Sequence, residues 1–134
     1  MAYEFSPLVN DVLGSAIEVH RVIGPGLFES VCLRCLCREL RLRGLAFAAD
    51  VPVPLDYKGE PLGAAYRADL VVGGELLVEL KSVAQILPVH SAQVLTYLKL
   101  LNLRQGLLIN FNVPCLKDGV RSILNSRYKT KPDV

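Results

Sequence analysis

The nine residues Leu76-Leu77-Val78-Glu79-Leu80-Lys81-Ser82-Val83-Ala84 constrain this chain's fold most strongly. They are rich in Leu and Val and alternate in character. This reads as a buried β-strand with Leu76, Val78 and Leu80 on one face and Leu77, Glu79 and Lys81 on the other. A carboxylate and an ammonium inside an apolar strand are costly unless each finds a partner: the other charge, a metal or a ligand. The stretch alone leaves two readings, a structural ion pair on a sheet face and a functional site.

The chain has 134 residues, enough for one real core and too few for two ordinary domains. Residues 1–134 are therefore expected to form a single domain with a polar tail over 126–134. Charged residues are 21% and hydrophobic residues 51%, a balance that excludes general disorder. The positive mean hydropathy implies heavy burial or a self-association surface. No apolar run approaches the ~18 residues that span a bilayer, and Met1-Ala2-Tyr3-Glu4-Phe5 lacks a signal-peptide pattern, so a cytoplasmic protein without membrane association is expected.

The net charge is only +2, so any nucleic acid would have to be held by a local patch rather than a global basic field. Four cysteines, Cys32, Cys35, Cys37 and Cys115, should be reduced in the cytoplasm. Cys-x-x-Cys-x-Cys on one helix spreads its thiols around the cylinder, which suits small buried hydrophobes better than zinc or an iron–sulfur cluster.

A first helix is expected over 6–23, with Ser6 as N-cap and Pro7 at the first helical position. Leu8, Val12, Ala16, Val19 and Ile23 form its apolar stripe and His20 sits at the edge. Gly24-Pro25-Gly26 breaks it. A second helix is expected from about Leu27 to Arg43, stopped by Gly44. On it Leu33, Leu36 and Leu40 lie within about 40° of Glu29, so Glu29 faces inward. That acid either complements the helix dipole or belongs to a site.

An edge strand starts at Phe47, marked by Pro52 and Pro54, and Asp56-Tyr57-Lys58-Gly59-Glu60 is expected as a turn. Strands over Leu62 to Val72 and Glu75 to Ala84 follow, joined at Gly73-Gly74, which makes three antiparallel strands. A third helix from Leu87-Pro88 to about Leu103 is apolar over most of its circumference, so cover on both sides is expected. It carries His90, Gln93 and Tyr97 on one stripe. A buried strand over Gln105 to Val113 is expected parallel to the central one. A turn at Lys117-Asp118-Gly119 and a last strand over Val120 to Asn125 complete the order ααβββαββ. The fold class is mixed α/β (α+β), a central sheet of about five strands flanked by helices.

Five polar residues now stand at otherwise apolar positions: Glu29, Asp69, Glu79, Lys81 and Gln93. Whether Asp69 meets Glu79 depends on the hairpin. A two-residue Gly73-Gly74 loop pairs Asp69 with Val78 and separates the acids. A three-residue Gly73-Gly74-Glu75 loop, with a left-handed glycine and a bulge, pairs Asp69 with Glu79 on one face. In that register two carboxylates converge with a lysine, a hard-oxygen set suited to Mg²⁺ or Mn²⁺ and to phosphodiester hydrolysis. Gln93 could equally be a buried amide bonded to backbone, Tyr97 a core residue with its hydroxyl at the site rim, and His20 simply packed.

Asp69, nine residues, then Glu79-Leu80-Lys81 resembles the D…(D/E)xK signature of the PD-(D/E)XK nuclease superfamily. Gln93-x-x-x-Tyr97 resembles the QxxxY motif of its RecB-like branch. Gly26-Leu27-Phe28-Glu29, Val19-His20-Arg21, Tyr66-Arg67-Ala68-Asp69 and His90 to Leu98 are similar to the GxxExxY family of small prokaryotic proteins, although Cys32 stands where that family has its tyrosine. The resemblance spans about residues 8 to 125 and implies a restriction-endonuclease-like fold. It also implies a metal-dependent nuclease acting on DNA or RNA, with Asp69, Glu79 and Glu29 at the metal, Lys81 as the catalytic lysine and Gln93 completing the site. His90, Tyr97 and His20 are candidates for support. The other reading is a catalytically silent nuclease fold that binds nucleic acid or a protein. A domain this small, with no separate recognition domain, is expected to use a homodimer or a protein partner.

Overall fold

The computed structural model describes residues 6–130. The expectation for Met1–Phe5 and the end of the expected tail, 131–134, lie outside the described residues.

Helix α1 spans Pro7–Ile23, with the Ser6 hydroxyl accepting from the Val9 N–H at 3.3 Å and Pro7 in the first turn. Its buried stripe is Val9, Val12, Ser15, Ala16 and Val19. Val9 takes the place expected for Leu8, which is only partly covered. Ser15 is tolerated there because its hydroxyl donates to the Asp11 carbonyl at 2.8 Å. Helix α2 spans Glu29–Leu42, two residues later than expected at its start, because Phe28 holds an extended backbone and acts as the N-cap. Its inward face is Cys32, Leu36, Cys37 and Leu40, so two of the cysteines are core residues.

The sheet contains β1 (Phe47–Tyr57), β2 (Glu60–Val72), β3 (Leu76–Lys81), β4 (Gln105–Asn110) and β5 (Val120–Leu124), in that spatial order. β1–β2–β3 run antiparallel, β4 lies parallel to β3, and β5 is antiparallel to β4. The expected five-residue turn at 56–60 is tighter than that. Asp56 pairs with Pro61 and Tyr57 with Glu60, and Lys58-Gly59 turns the chain with both residues at positive φ. β1 is an edge strand, where Pro52 and Pro54 discourage pairing with another chain.

α1 and α2 cover one side of the sheet, where Leu70, Val72, Leu76, Val78, Leu80, Leu107, Ile109 and Phe111 meet them. Helix α3, Pro88–Leu101, covers the other side with Val94, Tyr97 and Leu98 against Val53, Ala68, Leu77 and Leu108. α3 is therefore covered on one side only. Val89 and Leu87 remain exposed, so its nearly continuous apolar sequence overstates its burial. None of the described helices is long and apolar enough to cross a membrane.

Both central strands are shorter than expected because specific side chains end them. β3 leaves the sheet after Lys81, where the Ser82 hydroxyl donates to the Leu27 carbonyl at 2.5 Å. The buried Asn110 side chain accepts from the Val83 N–H at 3.1 Å and donates to the Val83 carbonyl at 2.9 Å, which also closes β4. At the far end, Asn102 exchanges two hydrogen bonds with the Lys129 backbone and Arg104 lies 4.4 Å over the Tyr128 ring. Part of the expected tail is thus packed.

Candidate active site

The β2–β3 register decides whether the acids meet. Leu70 pairs with Val78, Val71 with Leu77 and Val72 with Leu76, which leaves Gly73-Gly74-Glu75 as a three-residue loop. Gly73 and Gly74 both take positive φ, a conformation that favours glycine. Continued by one step, this register sets Asp69 opposite Glu79, the arrangement that the three-residue loop requires.

The strands peel apart at that step. The Asp69 N–H donates to Glu79 Oε1 at 2.7 Å, and the Leu80 N–H donates to Asp69 Oδ2 at 2.8 Å. Each carboxylate thus takes a backbone N–H of the opposite strand, which satisfies a buried donor and fixes both acids. The neighbouring edge is irregular at the same level. Ala49 pairs with Leu70 and Val51 with Ala68, leaving Asp50 unpaired at φ 54°. Leu70 packs with α1 and α2 whereas Ala68 packs with α3, so β2 changes face at Asp69. The side chain there is delivered to the opening between β2 and β3.

Electrostatics follow from this packing. Glu79 is 4% exposed, and burial, then the adjacent Asp69 charge, push its carboxyl up to about 8. The Asp69 N–H and Lys81 oppose this without reversing it. Asp69 is also raised, by burial first, against the Leu80 N–H, Lys81 and a side-chain hydrogen bond with Glu79. Both carboxyl groups thus hold a proton more readily than an exposed acid does. Glu29, in the first turn of α2, is raised by burial, lowered by Lys81 and raised by Asp69. Burial and the charges of Glu79 and Asp69 likewise raise the Tyr97 phenol.

Glu29 and Asp69 line a cleft of about 440 Å³ together with Phe28, Ser30 and Leu33. A roomier groove of about 720 Å³ between α1 and α2 lacks comparable chemistry. Its acids, Glu18 and Glu39, are tied to Arg21 and Arg43. Among the described residues neither Glu79 nor Lys81 belongs to an ion pair; the pairs are Arg21–Glu18, Arg43–Glu39 and Arg67–Asp50. The structural ion pair that the sequence left open does not form.

The remaining candidates divide. Tyr97 stands buried on α3 within the field of both acids. Gln93, one turn earlier, is half-buried. His90 accepts the Leu87 N–H on Nδ1 at 3.0 Å and caps α3. His20 bonds through Nε2 to the Val113 carbonyl at 2.8 Å and packs by Phe111, which fixes the segment after β4. Sequence reasoning missed Ser82 and Asn110, whose hydrogen bonds hold the strand immediately after Lys81. An Asn closing an apolar strand was the available signal.

Two adjacent buried carboxyl groups of raised proton affinity are a donor set that a divalent cation would fit in place of a proton. Among the described residues no three His, Cys, Asp or Glu side chains gather as a ready-made cage. The fit is therefore to an ion held by Asp69 and Glu79 that keeps several waters, as Mg²⁺ does.

No curated protein and no solved structure matches the chain. The sequence profile of the PD-(D/E)XK nuclease superfamily matches residues 6–123, which include every residue of the acid cluster. The chain belongs to the PD-(D/E)XK nuclease superfamily.

Proposed function

We propose that this protein is a divalent-metal-dependent nuclease that hydrolyses phosphodiester bonds in DNA or RNA. The observation that carries this reading is the Asp69–Glu79 carboxyl pair, each carboxylate accepting a backbone N–H of the opposite strand where β2 and β3 open, with Lys81 on the same strand as Glu79. Asp69 and Glu79 would hold Mg²⁺ or Mn²⁺. When bound, the ion supplies neutralisation of phosphate charge and activation of water.

The protein's own groups do the rest. Lys81 is fixed at the end of β3 by the Phe111 N–H donating to its carbonyl at 2.8 Å, and its ammonium holds a phosphate oxygen and orients the attacking water. Glu29, inward on α2, orients water at the cleft mouth and can carry a proton because its affinity for one is raised. Tyr97 and Gln93 on α3 support the acids from the other side of the sheet. These two residues, with Gly26, Glu29 and the segment Tyr66 to Asp69, favour a RecB-like, GxxExxY-type assignment within the superfamily, with Cys32 as its one departure.

The test is cleavage of single-stranded, duplex and structured DNA and RNA with Mg²⁺ or Mn²⁺. Lys81→Ala is expected to lower the rate by about 100-fold or more. No cleavage above the Lys81→Ala control on any substrate would overturn the reading. Partner binding that survives Glu79→Ala and Lys81→Ala would then assign a silent binding module, the role to which the low net charge also points.

A further inference from the structure

Two exposed aromatic side chains connect to the acid cluster: Phe28 lines the cleft beside Glu29 and Asp69, and Tyr66 packs against Tyr97, whose phenol feels the charges of both acids. Phe28 is 82% exposed and lines the cleft with Glu29 and Asp69. Leaving a phenyl ring in water forgoes the free energy of burying it, so such a ring beside a site is informative. Its backbone is firmly held. The preceding Leu27 carbonyl accepts the Ser82 hydroxyl, and the Phe28 carbonyl accepts the Val31 and Cys32 N–H groups at 3.0 and 3.1 Å. Tyr66 is 41% exposed and lies three residues before Asp69 on β2. Its ring sits 5.6 Å from that of the buried Tyr97, tilted by 44°, so one face is backed by the α3 core. Phe28 belongs to the α2 side and Tyr66 to the α3 side.

We propose that Phe28 and Tyr66 are base-stacking platforms that bracket the carboxylate cleft, so that the protein takes its nucleic acid as a single strand. The proposal rests on the nuclease reading for what occupies the cleft. Stacking on an aromatic side chain requires a base with a free face, which a single strand offers and an intact duplex conceals. The charge balance argues in the same direction. A chain of net charge +2 has little global attraction for a nucleic-acid backbone, so affinity must come from local contacts, among which base stacking does not depend on phosphates. The held backbone of Phe28 and the packing of Tyr66 on Tyr97 limit the entropy lost when a base docks.

The test is fluorescence anisotropy with the Lys81→Ala protein and Mg²⁺, so that binding is read without cleavage. Probes of about 12 nucleotides suit a site of this size: oligo-dT, oligo-rU, oligo-dT annealed to oligo-dA, and an abasic strand of equal length. At least one intact single strand is expected to bind about tenfold more tightly than the duplex and the abasic strand. Phe28→Ala and Tyr66→Ala should each weaken that binding about fivefold or more, while Phe28→Tyr and Tyr66→Phe retain it. Both positions are exposed, so unchanged melting curves will separate lost stacking from lost folding. Equal affinity for duplex, abasic and intact single strands, unchanged affinity in the alanine variants, or no binding of any probe would overturn the proposal. Base-dependent binding by a wild type that cleaves nothing would remove the nuclease reading and leave the stacking platforms in place.

Discussion

Glu18 and Glu79 each have a cation within three residues in the sequence, yet they meet opposite fates. On α1, Glu18 and Arg21 are neighbours on one helical face and form a two-pronged contact at 2.8 and 2.9 Å. The Arg21 hydrogen bond holds the half-buried Glu18 carboxyl below its ordinary range. On β3, alternation puts Glu79 and Lys81 on one face but about 6.7 Å apart along the strand. They form no ion pair, and burial with Asp69 alongside pushes Glu79 up instead. A helix brings such a pair together. A strand holds the two charges apart, and burial makes the Glu79 charge costly without a counter-charge at hand.

The largest way to break this contrast is through activity. Glu79→Gln and Lys81→Ala are each expected to lower cleavage by about 100-fold or more, whereas Glu18→Gln leaves the rate unchanged. Equal losses at Glu18 and Glu79 would abolish the distinction.

Stability against pH comes next and carries its own sign. The Glu79 pKa is about 8 in the folded protein and about 4.3 when unfolded. The metal-free fold carries no penalty from this group below about 4.3; it loses stability as pH rises through the window to about 8, and keeps the full penalty above it. The raised Asp69 adds to the same trend. Urea unfolding in EDTA should show stability falling from pH 5 to pH 9, and Glu79→Gln should recover on the order of 3 kcal/mol at the alkaline end. The lowered Glu18 has the opposite sign, its contribution being lost as pH falls.

Asn110→Ala sharpens the comparison by loosening the strand exit without touching an acid. The side chain accepts from the Val83 and Asn112 N–H groups and donates to the Val83 carbonyl. Its loss should cost about 2 kcal/mol in urea unfolding and lower cleavage through Lys81. Arg21→Ala has the smallest expected effect, a melting temperature within about 2 °C of wild type.

Much of this was legible in the sequence because it depends on local rules. The Ser6-Pro7 start, the glycine hairpin, the parallel step from β3 to β4 and the inward face of Glu29 all follow from spacing and residue type. The hairpin left two registers open, and the structure takes the three-residue loop. The carboxylate-to-backbone bonds were not legible, because they arise only where the β2–β3 pairing ends, at a level where the third strand is also irregular, with Asp50 at positive φ. The residue type of Asn110 was a signal, but what Ser82 and Asn110 hold was not legible for a related reason: their partners lie 55 and 27 residues away. α3 misled because apolar composition reports the capacity for burial rather than the presence of a second layer.

The central claim is that Asp69 and Glu79 together bind a divalent cation. Calorimetric titration with Mn²⁺ tests it most directly, on wild type, Asp69→Asn, Glu79→Gln and Glu18→Gln. The expected result is Mn²⁺ binding in wild type and Glu18→Gln that is lost in both Asp69→Asn and Glu79→Gln. No binding in wild type, or equal binding in all four proteins, would contradict the account.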